Sequence, residues 1–320
     1  MSNTMNGIAE LLGGQPVKAL LIASTGGHLA QLFRFSANWN LSDESLWVTF
    51  ESPQSLSLLA GKRVQYVPYV PPRGLKEAFD ARRAIKNILR TEKFDAAIST
   101  GAAIAVSGLP DAAKSGVPSF YIESVSRVHG PSLSGRILAR VPGIRTYTQH
   151  SHWSSRRWVE HPSVLDQFLR VERDTLVDRP RLFVTLGTIK PYRFDSIIDG
   201  VLRSGLADSS TVWQVGVTGR KDLPGVVHDQ MSAGEFMAAA QSSDVVVTHA
   251  GVGSVITLLE AGIHPVVVPR LKRRGEHVDD HQLQIAGLLE RSGVATVRDA
   301  EALERENFRS ASRYSTRGLS

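Results

Sequence analysis

A glycine-rich turn in the second half of the chain has the composition of an anion-binding loop. Residues 248–254 read Thr-His-Ala-Gly-Val-Gly-Ser, between an apolar run typical of a strand and a segment with helical spacing. Glycine lets the backbone approach a ligand closely, and the N–H groups and dipole of a helix start favour a phosphate. A tight turn with a serine cap and no ligand would have the same sequence. The candidate phosphate-binding residues are His249, Gly251, Gly253 and Ser254.

Polar residues further along the chain extend this candidate site. Glu260 follows on the same predicted helix, where a carboxylate can accept hydrogen bonds from the vicinal hydroxyls of a ribose; an exposed helix carboxylate is the alternative. Asp280, His281 and Gln282 begin the next predicted helix, where polar groups can bind sugar hydroxyls. Asp280 would also suit the N-cap position of that helix. These residues add groups that could bind a ribose and sugar hydroxyls to the candidate phosphate site.

The first half of the chain contains a similar turn, Ser24-Thr25-Gly26-Gly27-His28. Its amides could hold a pyrophosphate at a helix start. His28 could act as a base, although a lone histidine is more often structural. Glu123 ends a predicted strand and could instead remove a proton from a hydroxyl, or pair with Arg127. The sequence alone leaves both bases open.

Strand-like and helix-like segments alternate through both halves, which predicts an α/β fold with parallel sheets covered on both faces. We expect two Rossmann-like doubly wound domains whose sheets face each other across a cleft, since ligands of such sheets bind beyond the carboxyl ends of the strands. The clearest helix is residues 75–89, with Phe79 on its apolar side. The predicted boundaries are domain 1–150, linker 151–179, domain 180–300 and basic tail 301–320.

Composition narrows the chemistry. The 320 residues include no cysteine, which excludes disulfides, thiolate metal sites and cysteine nucleophiles. There is no Asp-X-Asp motif, and His150 and His152 have no third ligand nearby, so we expect neither a metal site nor a cofactor. The net charge of +6 suits an anionic partner such as a pyrophosphate or a membrane surface. We expect no nucleic-acid partner.

No apolar run approaches the ~20 residues of a membrane span, and residues 1–14 lack the pattern of a signal peptide. Contact with lipid would therefore be peripheral. Arg305, Arg309, Arg313 and Arg317 recur every four residues and would form a basic face on a helix. The serine-rich composition favours a disordered tail instead.

Several longer motifs resemble known glycosyltransferases. Residues 24–32 (STGGHLAQL), 99–102 (STGA) and 121–136 (YIESVSRVHGPSLSGR) resemble the acceptor-side subunit of the UDP-GlcNAc transferase of dolichol-linked oligosaccharide synthesis, and more closely its bacterial capsule and exopolysaccharide relatives. Residues 184–194 (VTLGTIKPYRF) and 248–282 resemble the catalytic partner subunit, within glycosyltransferase family 28, which includes the MurG-type enzymes. The chain looks like a fusion of two subunits.

The resemblance implies a GT-B fold and inverting transfer of a hexosyl or N-acetylhexosaminyl group from a UDP-sugar to a polyprenyl-pyrophosphate-linked sugar, at the cytoplasmic membrane face. It implies that Gly251, Gly253 and Ser254 hold the donor pyrophosphate, that Glu260 binds the ribose, and that His281 and Gln282 contact the donor sugar. Further residues implied in binding are Gly187 and Thr188 beside the donor, and Thr25, Gly26, Gly27, Thr100, Gly101 and Arg127 at the acceptor.

Three other functions compete with this interpretation. A UDP-GlcNAc 2-epimerase uses a related two-domain fold, but it would not need the acceptor-side motifs. A non-catalytic partner of a separate transferase would not need both halves in one chain. A nicotinamide dehydrogenase would require the third glycine of the dinucleotide fingerprint, which this chain lacks.

Overall fold

The computed structural model describes residues 8, 15–70, 74–187 and 190–319. The chain divides between Val164 and Leu165 into two compact units, each built around a parallel sheet with helices. The predicted α/β class is confirmed. The division falls inside the segment that we predicted as a linker, because short strands on either side of it belong to the two units.

The first unit contains, among the described residues, a seven-stranded parallel sheet in the order β3-β2-β1-β4-β5-β6-β7. The strands are β1 Ala19–Ala23, β2 Leu46–Thr49, β3 Arg63–Tyr66, β4 Ala96–Gly101, β5 Ser119–Ile122, β6 Ile144–Thr148 and β7 Trp158–Glu160. The helices are α1 Gly27–Ser36, α2 Pro53–Leu58, α3 Leu75–Thr91, α4 Ala103–Lys114 and α5 Leu133–Leu138, with a 3₁₀ turn at Ser151–Trp153.

The strand order of this sheet reverses between β1 and β4, which are neighbours in space but far apart along the chain. Both strands are buried throughout. Gly108 lets α4 pack closely on the sheet, since a β-carbon there would lie 2.6 Å from Cδ1 of Ile22. The turns that follow β1 and β4 therefore meet at the switch point, where ligands of doubly wound sheets bind.

The second unit repeats this topology with six strands among the described residues, in the order β11-β10-β9-β12-β13-β14. These strands are β9 Leu182–Thr185, β10 Val212–Gln214, β11 Val226–His228, β12 Val245–His249, β13 Val266–Val268 and β14 Thr296–Val297, and a separate antiparallel pair joins β8 Phe168–Glu172 to β15 Tyr314–Gly318. The helices are α6 Asp195–Arg203, α7 Ala233–Ser242, α8 Val252–Glu260, α9 His281–Ser292 and α10 Arg305–Ser312, with 3₁₀ turns at Val164–Gln167, Lys272–Arg274 and Ala300–Ala302.

The last part of the chain is ordered, contrary to the disordered tail that we favoured. Phe308 of α10 is fully buried in the core of the second unit. Arg309 forms ion pairs with Asp178 and Glu306, and Arg313 pairs with Glu172. The four-residue arginine spacing does not produce one free basic face, because it crosses from a helix into a strand.

The predicted packing of α3 needs one correction. Phe79 is 65% exposed rather than part of the apolar side, whereas Ile85 of the same helix is fully buried. Within the described part of the chain, none of the helices is both long and apolar enough to span a bilayer.

Candidate functional site

His249 lies between two glycines at the switch point of the second sheet. Gly187 follows β9 and Gly251 follows β12, its neighbour. A β-carbon at Gly187 would lie 2.6 Å from Cε1 of His249, and one at Gly251 would lie 2.2 Å from its Nε2. Gly187 also has a φ of +75°, which favours glycine. Both glycines are therefore required for the imidazole to occupy this position.

The His249 ring is neutral at ordinary pH. Burial, followed by the positive charge of Arg270 and the nearby His277, lowers the pKa of His249 to about 3. Its Nδ1 lies 3.5 Å from the hydroxyl oxygen of Thr248. A neutral imidazole can donate one hydrogen bond and accept another, so His249 can contact a ligand at the carboxyl edge of the sheet without adding a charge.

The start of α8 lies beside this ring. Gly251 occupies the N-cap position, and no side chain of the described structure caps the helix. Gly253 and Ser254 lie in its first turn, and the Thr257 hydroxyl donates to the carbonyl of Gly253 at 2.9 Å. An uncapped helix start presents N–H groups that an anion can satisfy. The structure thus brings His249, Gly251, Gly253 and Ser254 together, as the sequence motif indicates.

Arg270, two residues after β13, holds together two loops at the carboxyl edge of the second sheet. It is fully buried, and its guanidinium donates to the backbone carbonyls of Leu186 (2.7 Å), Tyr192 (3.0 Å) and Glu276 (3.0 Å). The guanidinium also lies over the ring of Phe194, 4.6 Å from its centroid. Burial lowers the pKa of Arg270 to about 10, so it stays charged at neutral pH. One side chain therefore holds the loop after β9 and the loop after β13.

Two predicted sugar-binding residues have structural partners. The buried Gln282 accepts a hydrogen bond from the backbone N–H of Arg270 at 3.0 Å. Asp280 accepts one from the N–H of Lys272 at 2.9 Å. Asp280 stands at the N-cap position of α9 but makes no capping bond; Asp279 accepts from the N–H of His281 instead, at 3.2 Å. The N-cap role predicted for Asp280 is therefore wrong, because its carboxylate serves the loop after β13.

The carboxylate of Asp279 also lies between two histidines. Its Oδ1 is 3.0 Å from Nδ1 of His277, and its Oδ2 is 3.4 Å from Nε2 of His281. The ring of Tyr192 lies 5.9 Å from that of His277. The contacts of Asp279 fix the orientation of His281 at the start of α9.

Of two other residues predicted to bind the donor, one lies at the far end of α8 and one lies outside the described residues. Glu260 is exposed at the last position of α8, six residues and about 9 Å along the axis from Ser254. A ligand that contacts both would have to extend along the helix. Thr188 lies outside the described residues.

The glycine turn of the first unit follows β1 at its own switch point. Gly26 has a φ of +86°, and its N–H donates to Oε1 of Gln54 at 2.5 Å. The Gln54 amide in turn donates to the Gly26 carbonyl at 3.1 Å. Gln54 could not be selected from the sequence, because its partner is a backbone group on another turn.

His28 is held against the end of β4. Its Nδ1 lies 2.6 Å from the carbonyl oxygen of Thr100, and the Thr100 hydroxyl donates to the His28 carbonyl at 2.7 Å. A carbonyl oxygen only accepts, so Nδ1 carries the proton and Nε2 keeps its lone pair. Gly101 makes room for the ring, since a β-carbon there would lie 2.8 Å from Cε1. Burial lowers the pKa of His28, which favours the neutral form.

Glu123 has a different environment. It is fully buried, and its Oε1 accepts from the hydroxyl of Tyr121 and the N–H of Ser124, each at 3.1 Å. Its Oε2 accepts from both the N–H and the hydroxyl of Ser132 at 2.9 Å. These bonds join the end of β5 to the start of α5. A carboxylate engaged in this way organises the loop, and the geometry favours His28 as the base.

Two buried amides, the buried His150 and the exposed His152 hold the loop that follows Glu123. Gln31 of α1 accepts from the N–H of Val125 at 2.9 Å and from Nε2 of Gln149 at 2.8 Å. His150 and His152 lie 2.8 Å and 2.5 Å from loop carbonyl oxygens. Neither of these glutamines was predicted, since isolated glutamines carry no motif.

The half-buried Arg127 belongs to the same loop. Its backbone N–H donates to the carbonyl of Ser124 at 2.9 Å. Across the residues that the structure describes, no group of three or more histidine or acidic side chains is placed to hold a metal.

Comparison with known proteins shows which class of enzyme the chain belongs to. Residues 225–306 match the family model of the glycosyltransferase family 28 C-terminal domain. The matched residues include the start of α8 and the loop that contains Arg270. The matched part of the second unit is similar to the family 28 C-terminal domain, and the chain is a glycosyltransferase. No curated protein sequence gives a significant match to this glycosyltransferase.

Solved glycosyltransferase structures share its GT-B fold. MurG of Acinetobacter baumannii is 18% identical, with a TM-score of 0.52 over 92% of this chain and 89% of that one. The kitacinnamycin glycotransferase is 15% identical, with a TM-score of 0.54 over 93% and 90%. SnogD of Streptomyces nogalater is 18% identical, with a TM-score of 0.51 over 93% of both chains. At these identities the likeness shows the fold.

We predict that Arg270→Met lowers the free energy of unfolding of this glycosyltransferase by about 3 kcal/mol or more, because buried carbonyls lose their charged donor. Arg270→Lys should restore only part of it, since an ammonium cannot span the same carbonyls. Urea unfolding measures both. Arg273→Met, an exposed neighbour, is the control and should change little. An Arg270→Met protein as stable as the control would contradict the stabilising role of the Arg270 hydrogen bonds.

Proposed function

We propose that this glycosyltransferase moves a hexosyl or N-acetylhexosaminyl group, with inversion, from a UDP-sugar to a polyprenyl-pyrophosphate-linked sugar in cell-surface polysaccharide synthesis. The observation that carries the proposal is the uncapped start of α8 beside neutral His249, inside the family 28 domain. The acceptor assignment is supported by the second glycine turn, at the switch point of the other sheet.

The donor diphosphate would bind the first-turn N–H groups of α8, with the Ser254 hydroxyl as a further donor. As the bond to the sugar breaks, negative charge builds on the leaving UDP. The N–H groups and the helix dipole stabilise that charge without a metal. His281 and the amide nitrogen of Gln282 would contact the transferred sugar. No resident cofactor is needed for this chemistry.

The acceptor hydroxyl would lose its proton to His28. The oxygen forms a bond to the anomeric carbon, the bond from that carbon to UDP breaks, and Nε2 of His28 takes the proton. The required lone pair is supported by the hydrogen bond that keeps the ring proton on Nδ1. The amides of the Gly26 turn would hold the acceptor pyrophosphate.

Incubation with radiolabelled UDP-sugars and a membrane extract tests the proposed reaction. We expect label in the lipid fraction, at a rate that EDTA leaves unchanged. Epimerised free sugar in place of labelled lipid would overturn the proposal. If EDTA abolished the transfer and Mg²⁺ restored it, the metal-free stabilisation of UDP would be wrong.

We predict that His28→Gln lowers kcat by roughly 10²- to 10⁴-fold, the usual contribution of a general base, with little change in donor affinity. Because the neutral ring is the active form and its pKa is lowered, wild-type kcat/KM should stay level from about pH 8 to 7 and fall only below the ordinary histidine pKa of ~6.5. His129→Gln, an exposed residue of the 123–129 loop, is the matched control. A His28→Gln enzyme that keeps wild-type kcat would exclude this base.

Exposed apolar side chains of the first unit support peripheral contact with the cytoplasmic face of a membrane. Phe79 near the start of α3 is 65% exposed and Leu133 at the start of α5 is 75% exposed. Both helices begin at the carboxyl edge of the sheet, as does α1 with its glycine turn. Exposed Lys76 and Arg83 on α3 add positive charge that anionic headgroups attract.

We predict that Phe79→Asp combined with Leu133→Asp reduces co-sedimentation with anionic vesicles several-fold, because both apolar contacts with lipid are replaced by repelled charges. Val226→Asp, at an exposed apolar position of the second unit, should bind vesicles as the wild type does. UDP binding measures whether the variants remain folded. Equal sedimentation of all three proteins would contradict the proposed surface.

A further inference from the structure

The carboxyl end of α8 is capped by the strand pair β8–β15. Thr316 of β15 is buried, and its hydroxyl donates to the carbonyl of Leu259 at 3.0 Å, with the carbonyl of Ile263 at 3.3 Å. Its backbone N–H donates to the carbonyl of Gly262 at 3.0 Å. The final carbonyls of a helix have no partners within the helix. Thr316, more than fifty residues later in the chain, adds a hydrogen bond to the Leu259 carbonyl, which also accepts from the N–H groups of Ala261 and Gly262.

The same strand pair holds the turn that leads from α8 to β13. Ile263 forms an antiparallel bridge with Ser315. The buried ring of His264 lies 5.2 Å from that of Tyr314, and its Nε2 is 3.0 Å from the Thr296 hydroxyl. The guanidinium of Arg170 in β8 lies over the ring of Tyr314, 4.5 Å from its centroid. The turn is therefore fixed by side chains as well as by backbone.

From these contacts we infer that Thr316 is a positioning residue for the donor: it sets the axial position of α8 and so the position of the N–H groups at its start. The inference rests on the proposed binding of the UDP diphosphate there. α8 has nine residues and no side-chain cap at its amino end, so the bond from Thr316 at the carboxyl end adds to the restraint that the buried apolar face of the helix provides. Substitution of a residue that orients the binding groups can change the affinity for a ligand, even though that residue does not touch the ligand.

UDP binding by titration calorimetry tests this role. Thr316→Val keeps the shape and burial of the side chain but removes its hydroxyl, and should raise the Kd of UDP roughly tenfold through the lost hydrogen bonds to the helix end. Thr316→Ser keeps the hydroxyl and should bind UDP as the wild type does. Ser315→Ala is the matched control on the same strand, because the Ser315 hydroxyl contacts Val171 of β8 rather than α8.

The outcomes separate the two proposals. If the wild type does not bind UDP, the proposed function fails. If the wild type binds UDP and Thr316→Val binds within twofold, the positioning role is overturned while the proposed function stands. An equal loss in Thr316→Val and Ser315→Ala also overturns it, since that result would reflect general loosening of the strand pair. Urea unfolding of each variant shows whether the titrated protein is folded.

Discussion

The second unit depends on one buried cation. Arg270 donates to backbone carbonyls of two loops that follow different strands, and it stays charged because those carbonyls replace the water that burial removes. Burial, followed by the charge of Arg270, lowers the pKa of His249 and keeps its ring neutral, and Gln282 accepts a hydrogen bond from the backbone N–H of Arg270. The candidate site of the second unit is therefore organised by a buried side chain that lies beneath it.

Both units place an imidazole against a glycine at the point where the strand order reverses. In the first unit His28 follows β1 and Gly101 ends β4; in the second the order is exchanged, with Gly187 after β9 and His249 ending β12. In each case a β-carbon would collide with the ring. Burial keeps both rings neutral, so each can exchange hydrogen bonds or a proton at a sheet edge that also presents helix N–H groups. The two sheets thus place the same pair of residue types at corresponding edges, on exchanged strands.

Strands that form parallel sheets could be predicted because their residues are uniformly apolar and local in sequence, as in β1 and β13. The turns of the candidate site were predicted for the same reason, from glycines between such runs. The strand pair β8–β15 could not be predicted. It joins residues about 140 positions apart in the sequence, and β8 has no continuous buried face that would mark it as a strand. Helix α4 does not stand out in the sequence, because Gly108 and Pro110 lower its helical propensity, whereas packing against the sheet stabilises it.

The two candidate bases have different hydrogen-bond environments, which their residue types alone do not reveal. A carboxylate after a strand and a histidine at a helix start are both acceptable bases on paper. In the structure the oxygens of Glu123 accept from the loop that they organise, and a proton taken there would disrupt those bonds. His28 spends one nitrogen on Thr100 and keeps the lone pair of the other. The proposed base role would therefore leave the structural bond of His28 intact, because that bond uses Nδ1 and the acceptor proton would go to Nε2.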